Sequence, residues 1–376
     1  VIDRRKRCPN GDEHSSFNRV FKRAADRFMT TASETTASDV HPNPRLILAP
    51  YHDRPLVRSL ATFAFDLSLF LGLSVLIIGS HILWVKLVAG VLCGMMMGRL
   101  FVIGHDACHG SFSHNKRLNR IVGTIAFLPT LTSFSAWDMG HNRTHHAYTN
   151  LSTHDYVWAP FSKSAYDALP RWRQALEQLY RTPFGQGLNY CVEIWWKHYF
   201  FRRTPTAGLR DSYLLAGVWA AATLALVIVA QATGQNVLLE LLCSMVVPFA
   251  IWNTSMGFII YQQHTSPDIR WYDTLTDWRT ANFAIDDTQR VVFLRPINTV
   301  FHNIMEHHAH HFDPLISLHE LPRAQKALET SLGPRIRVVP WTLRSFLNAT
   351  RICKLYDYTE HRWLDFTGRY TSDRIA

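Results

Sequence analysis

Long apolar runs alternate with polar, basic loops along this chain, and the runs have the length of bilayer crossings. Leu60 to Ile78 carries Asp66 as its only charge, and Ile82 to Met97 carries only Lys86. Gly79, Ser80 and His81 leave room for no more than a tight turn between them. Ser212 to Ala230 has 19 residues without a charge. At about 1.5 Å per residue, such a run spans roughly the 30 Å of a hydrocarbon core. Val237 to Ile260 follows, with Glu240 as its only charge. These four runs predict an all-α integral membrane fold with two transmembrane hairpins. A further apolar window, Ile121 to Phe134, contains Pro129 and is short for a crossing, so it predicts a half-inserted interfacial helix.

Residues 1–54 are polar, basic and rich in Ser, Thr and Pro, without the apolar stretch of a signal peptide, and are expected to be a disordered cytosolic tail. One membrane domain is expected over 55–340, with a C-terminal cytoplasmic extension over 341–376. If the hairpin tips Gly79 to Ser80 and Gln231 to Asn236 face outward, every Lys and Arg except Lys86 falls on the other side. The net charge of +10 then reads as a positive-inside signal rather than a nucleic-acid footprint. With no targeting or retrieval motif in view, a multi-pass protein of a bacterial inner membrane is expected. The charged fraction of 18% against 47% hydrophobic residues excludes a disordered chain. Six cysteines lie far apart with no CxxC pair, which argues against a disulfide framework or a thiolate zinc site.

Twenty histidines change the picture, because they cluster. His105 and His109 stand four apart at the end of the second run, so they project from one face of a helix. His141 and His145 repeat that spacing, with His146 turned about 140° from His141 by the helical angle. His307, His310 and His311 share one helical stripe, and His308 is turned off it. His264, just past the fourth run, adds an imidazole at the same depth. With an even number of crossings between clusters, all fall on one face of the membrane, where distant segments can meet. His14, His41, His52, His198 and His361 are expected to be ordinary surface residues, and His114, His154 and His319 lack helical partners.

Imidazole suits iron, zinc, copper and nickel, yet eight or nine ligands exceed the four that one zinc takes. Two metal ions are implied. A redox-active pair beside an apolar substrate has an obvious use in activating O2, which favours iron cycling between Fe2+ and Fe3+. A metal transporter would place its ligands within the spans near the midplane, and these spans are nearly free of such groups.

The three clusters read His105-Asp-Ala-Cys-His109, His141-Asn-Arg-Thr-His145-His146 and His307-His308-Ala-His310-His311. In this form they resemble the three His boxes of the integral-membrane fatty acid desaturases, a superfamily that also holds hydroxylases. Gln263-His264-Thr265-Ser266-Pro267 and Phe301-His302-Asn303-Ile304 resemble stretches of the acyl-lipid Δ12 or ω-6 type. The resemblance covers about residues 55–330. The second box departs from it, with three residues between His141 and His145 where many such sequences have two, and His308 is an extra imidazole.

The resemblance implies removal of two hydrogens from adjacent methylenes of a fatty acyl lipid or acyl thioester, leaving a cis double bond, at a His-ligated di-iron centre in a cytoplasmic cap. Hydroxylation of an acyl chain, alkane or carotenoid is the alternative outcome. Asp106 and Asp313 are expected to orient ligand imidazoles through their free N–H groups, and His302 to stand behind the ligands. Phe112, Trp137, Tyr148, Trp158 and Phe312 are candidate walls of an apolar tunnel. The chain carries no iron–sulfur, dinucleotide or haem signature, so a separate ferredoxin or cytochrome b5-like donor is implied. Lys197, Arg202, Arg203 and Arg210 would attract it, or would simply face membrane lipid.

Overall fold

A computed structural model describes residues 43–200, 206–281, 288–293 and 295–375. Of the expected tail, residues 1–42 lie outside the described residues, as do Arg202 and Arg203.

Helices dominate, and four of those described are long and apolar enough to cross a membrane: Leu56–Gly79 (α1), Leu83–His109 (α2), the Leu209–Ala232 stretch of Thr206–Ala232 (α5), and Val237–His264. The last is an α-helical start at Val237–Leu241, a π segment at Leu242–Val246 and an α-helix at Val247–His264 (α6). Each contains the expected apolar run. The charges inside them are paired, as burial away from water requires. Lys86 and Glu240 form a buried ion pair, and the Lys86 ammonium also donates to the Ile77 carbonyl and the Gln235 side chain. Asp66 accepts from Arg99 Nη2 at 2.8 Å.

α2 sits at the centre, against α1, α6 and the amphipathic helix Lys116–Phe127 (α3). Small residues let the backbones meet. A Cβ on Gly94 would lie 2.6 Å from the Pro248 carbonyl oxygen of α6, and one on Gly104 would lie 2.5 Å from the Phe127 ring of α3. α3 starts at an Asn115 cap and runs for 12 residues, too few to cross a bilayer. Leu128–Thr130 then turns the chain through Pro129 into Phe134–Trp137 (α4).

α4 does not continue as an α-helix. It widens into a π-helix over Asp138–His145, in which His146 N donates to His141 O across five residues. A third π run, Tyr190–Phe200, leads out of the short helix Gln186–Asn189.

The third histidine cluster forms the short helix His307–Phe312 (α7), pinned from three sides. Glu306 at its start pairs with Arg290, Gln325 of helix Leu321–Leu332 (α8) accepts from Ala309 N at 3.0 Å, and Asp313 at its end meets His52 Nε2 at 2.6 Å. Residues 43–54 contribute to this support: the helix Pro44–Leu48 buries Leu48 among Ala309, Leu321 and Leu328.

Strands are few. Arg290–Val292 (β1) pairs in parallel with Val338–Pro340 (β2), and Leu355–Asp357 (β3) antiparallel with Arg362–Leu364 (β4). The C-terminal segment packs tightly on the stretch that follows α6. Trp363, fully buried with Trp271 and Tyr356, donates its indole N–H to Ser266 O at 3.0 Å, two residues from His264.

Candidate metal centre

The helix ends deliver the imidazoles. α2 and α6 finish with His109 and His264, the π-helix after α4 presents His141, His145 and His146, and α7 presents His307, His310 and His311. Nitrogens of His105, His109, His141 and His310 lie within 4.8 Å of one another, and so do those of His145, His264 and His311. His146 joins the first group, with its Nε2 3.1 Å from His141 Nε2 and 3.0 Å from His310 Nε2. His307 joins the second, its Nε2 2.8 Å from His264 Nε2. All nine expected imidazoles are thus gathered, five around one point and four around another. The two points adjoin, since the His146 ring stacks on His311 with centroids 4.4 Å apart. His308 is buried but belongs to neither group.

The π turn decides the partition. An α-helical turn would place His145 above His141. The i to i+5 turn places His146 there and swings His145 to the other group, where its ring lies 4.6 Å from that of His264.

The donor set suits metal ions. Two metal–nitrogen bonds of about 2.1 Å set at right angles leave their nitrogens about 3 Å apart, which is the spacing of the close imidazole pairs. His109 Nε2 and His311 Nε2 are enclosed without a hydrogen-bond partner, a costly arrangement for ring nitrogens with no ligand to meet. Burial, and then the mutual repulsion of their charged forms, holds His141, His146, His307, His310 and His311 well below an ordinary imidazole's 6.5. Neutral imidazole is the form that binds a metal.

Carboxylates orient part of the set. Asp155 Oδ1 lies 3.0 Å from His145 Nδ1, and its two oxygens also accept from Val157 N and Asn150 N, each at 3.0 Å. Sequence reasoning missed this residue. Its signal was its place as a carboxylate nine residues past His146, in the loop that follows the second box. Asp106 Oδ1 sits 3.4 Å from His105 Nδ1, while its Oδ2 accepts from Leu318 N at 2.7 Å, tying the loop after α7 to α2. Asp313 turns away to His52, which is therefore not a bystander. His302, in a left-handed backbone conformation at φ 52°, hydrogen-bonds Asp66 at 2.6 Å rather than a ligand imidazole. Trp137 stacks on His141 with centroids 4.2 Å apart.

A narrow apolar cavity of about 40 Å³ abuts both groups. Phe101, Val102, Trp137, Tyr199, Met256, Ile259 and Ile304 wall it, and His105, His141, His145, His264 and His307 form its reactive side. Of the aromatic residues expected along a tunnel, Trp137 lines it; Phe112, Tyr148, Trp158 and Phe312 do not.

With this geometry in view, comparison with known proteins is decisive. The family model described as fatty acid desaturase matches residues 82–343. The chain belongs to the fatty acid desaturase family. Among curated relatives, an omega-6 fatty acid desaturase, chloroplastic, from Glycine max is 28% identical over 72% of this chain and 62% of the relative. An sn-1 acyl-lipid omega-3 desaturase (ferredoxin) from Synechocystis is 29% identical over 75% of this chain and 78% of its own. An sn-1 oleoyl-lipid 12-desaturase from Picosynechococcus is 26% identical over 73% and 78%. The chain spans about three fifths of the length of the plant desaturases it matches. For this desaturase family member, the four apolar helices and the gathered imidazoles are the features that matter most.

Proposed function

We propose that this chain is an O2-dependent membrane desaturase that introduces a cis double bond into the fatty acyl chain of a membrane lipid. The observation that carries the reading is the apolar cavity walled on one side by imidazoles of both groups. His105, His109, His141, His146 and His310 would hold one iron ion, and His145, His264, His307 and His311 the other. When bound, the pair supplies the oxidising power that an unactivated C–H bond demands.

The protein's own residues do the rest. The narrow apolar cavity excludes water and fixes which two methylenes face the imidazoles, so position is set by packing rather than by acid–base chemistry. Asp155 holds the His145 ring with its N–H on Nδ1, leaving Nε2 for the metal. Two hydrogens leave the substrate, two electrons arrive from outside together with two protons from solvent, and O2 leaves as two waters. A ferredoxin supplies those electrons in this reading, as the name of the Synechocystis relative suggests. Exposed Arg210 and half-exposed Lys197, which pairs with Glu193, are the described candidates among the expected cations for meeting an acidic donor.

The topology follows from charge. α1 with α2, and α5 with Val237–His264, are read as two hairpins of one membrane domain over residues 55–340, their short turns facing outward and the imidazole-bearing cap on the cytoplasmic face of a bacterial inner membrane. Gas chromatography with mass spectrometry of lipids from a host expressing the chain, beside a His310→Ala control, tests the proposal. A new double bond only with the intact chain supports it, a hydroxylated product replaces it with the hydroxylase outcome, and metal flux without O2 consumption defeats it.

A further inference from the structure

A second cavity, of about 340 Å³, lies next to the first. Ile259 of α6 lines both, and consecutive residues divide between them, Ile304 to the inner and Met305 to the outer. No histidine is among the residues lining the outer cavity. Its rim includes Phe184, 93% exposed, and Ile297, 43% exposed. The segments forming the mouth also present Leu188, Leu343 and Leu347 outward. An apolar rim of this kind outside the four long helices is suited to the boundary region of a bilayer.

Depth agrees. Counting about 20 residues for a hydrocarbon crossing from Val237 puts the bilayer edge near Gly257. The outer cavity touches α6 from Thr254 to Ile259, so it stands at that edge.

One group inside the mouth is out of place in an apolar pocket. Gln186 lines it, is 2% exposed, and has neither amide atom in a hydrogen bond. An enclosed amide without partners is costly unless a ligand supplies them. Its backbone is fixed, because Gly187 and Gly257 bring it hard against α6: a Cβ on Gly257 would lie 2.4 Å from Gln186 O. The hydroxyl-bearing Thr254 and Ser255 share the lining.

Resting on the desaturase reading, we propose that the outer cavity receives the ester end of a membrane glycerolipid from the side, with Gln186 Nε2 donating to the ester carbonyl and the acyl chain passing Ile259 to the inner cavity. Gln186 is a positioning residue here. A bilayer-edge carbonyl is the acceptor that lies at the right depth, and the chain attached to it leads in the right direction. The subsite would therefore measure the substrate from its ester end.

The test is photolabelling of the full chain in phospholipid nanodiscs. The probes are two phosphatidylcholines with the same diazirine-bearing chain, one linked by an ester and one by an ether. Labelling of peptides containing Gln186, Thr254 or Met305 should favour the ester probe by about fivefold, the scale of one hydrogen bond to a buried amide. In Gln186→Leu that preference should vanish while ether labelling stays unchanged, a result that mere misfolding would not give. Ile297→Trp, a half-exposed rim position that can take the larger side chain across the mouth, should abolish labelling by both. Equal labelling by ester and ether in the intact chain, or labelling confined to lipid-facing sides of the long helices, overturns the proposal. Because binding is read without turnover, a chain that labels here but makes no double bond defeats the desaturase reading and not the subsite. A chain that desaturates without labelling here does the reverse.

Discussion

Asp155 Oδ1 lies 3.0 Å from His145 Nδ1. The carboxylate cannot turn away, because two backbone N–H groups hold it in place. It therefore fixes both the tautomer and the orientation of an imidazole at the meeting point of the two groups. Asp155→Asn keeps the shape but removes the charge and can present an amide N–H to the ring. Metal affinity should fall about 10- to 100-fold, as for other carboxylates behind metal-bound imidazoles. Iron titration of purified protein checks this, and full iron retention in the variant would refute it.

Removing one partner from the buried charge cluster at Asp66 should be severe. Asp66 is fully buried between Arg99 and His302, and Arg99 also donates to the Val300 carbonyl at 2.8 Å. Arg99→Leu strands the carboxylate, a change that costs about 3–5 kcal/mol in comparable settings. Asp66→Asn with Arg99→Leu should recover part of that loss. Thermal unfolding of the single and double variants in one detergent measures both.

Gly94→Val tests the close approach of α2 and α6. A Cβ there meets the Pro248 carbonyl oxygen and Ile251, so the helices must part. Overpacking of this kind costs about 1–3 kcal/mol. Because His105 and His109 ride on α2 and His264 on α6, iron content should fall along with the melting temperature. A variant that is destabilised yet binds iron normally would show that the helix contact does not set the site.

Acid should destabilise the metal-free chain. His141, His146, His307, His310 and His311 are held well below 6.5 when folded, and all take protons at about 6.5 when unfolded. The unfolded chain thus binds more protons between those limits, so the folded form has its full advantage above about pH 6.5 and loses it as pH drops below. Melts in chelator at pH 8, 6.5 and 5.5 should show a drop concentrated in the lower interval. A flat profile would mean that the rings are solvated.

The helical framework was legible because burial in lipid forces it: uncharged runs of the right length can satisfy their backbone only as helices. The nine imidazoles were legible too, from clustering and spacing. Their division was not. Spacing on an ideal α-helix pairs His141 with His145, and a π turn, which leaves no mark in the hydrophobic pattern, pairs His141 with His146 instead. Supporting residues were harder still. Asp313 and His302 stand within six residues of box histidines, yet their partners, His52 and Asp66, lie more than 230 positions away in the chain. Proximity in sequence suggested a shared task, and long-range packing assigned another. Burial of residues 43–54 and of the C-terminal strands also depends on contacts that local pattern does not encode.

Neither imidazole group can be completed early in synthesis. The first needs His310 and the second His311, while their earliest members, His105 and His145, emerge long before. A nascent chain paused anywhere before α7 holds at most a partial donor set. In the proposed reading, a metal-filled molecule therefore certifies that α2, α6, the π-helix and α7 have already found their places.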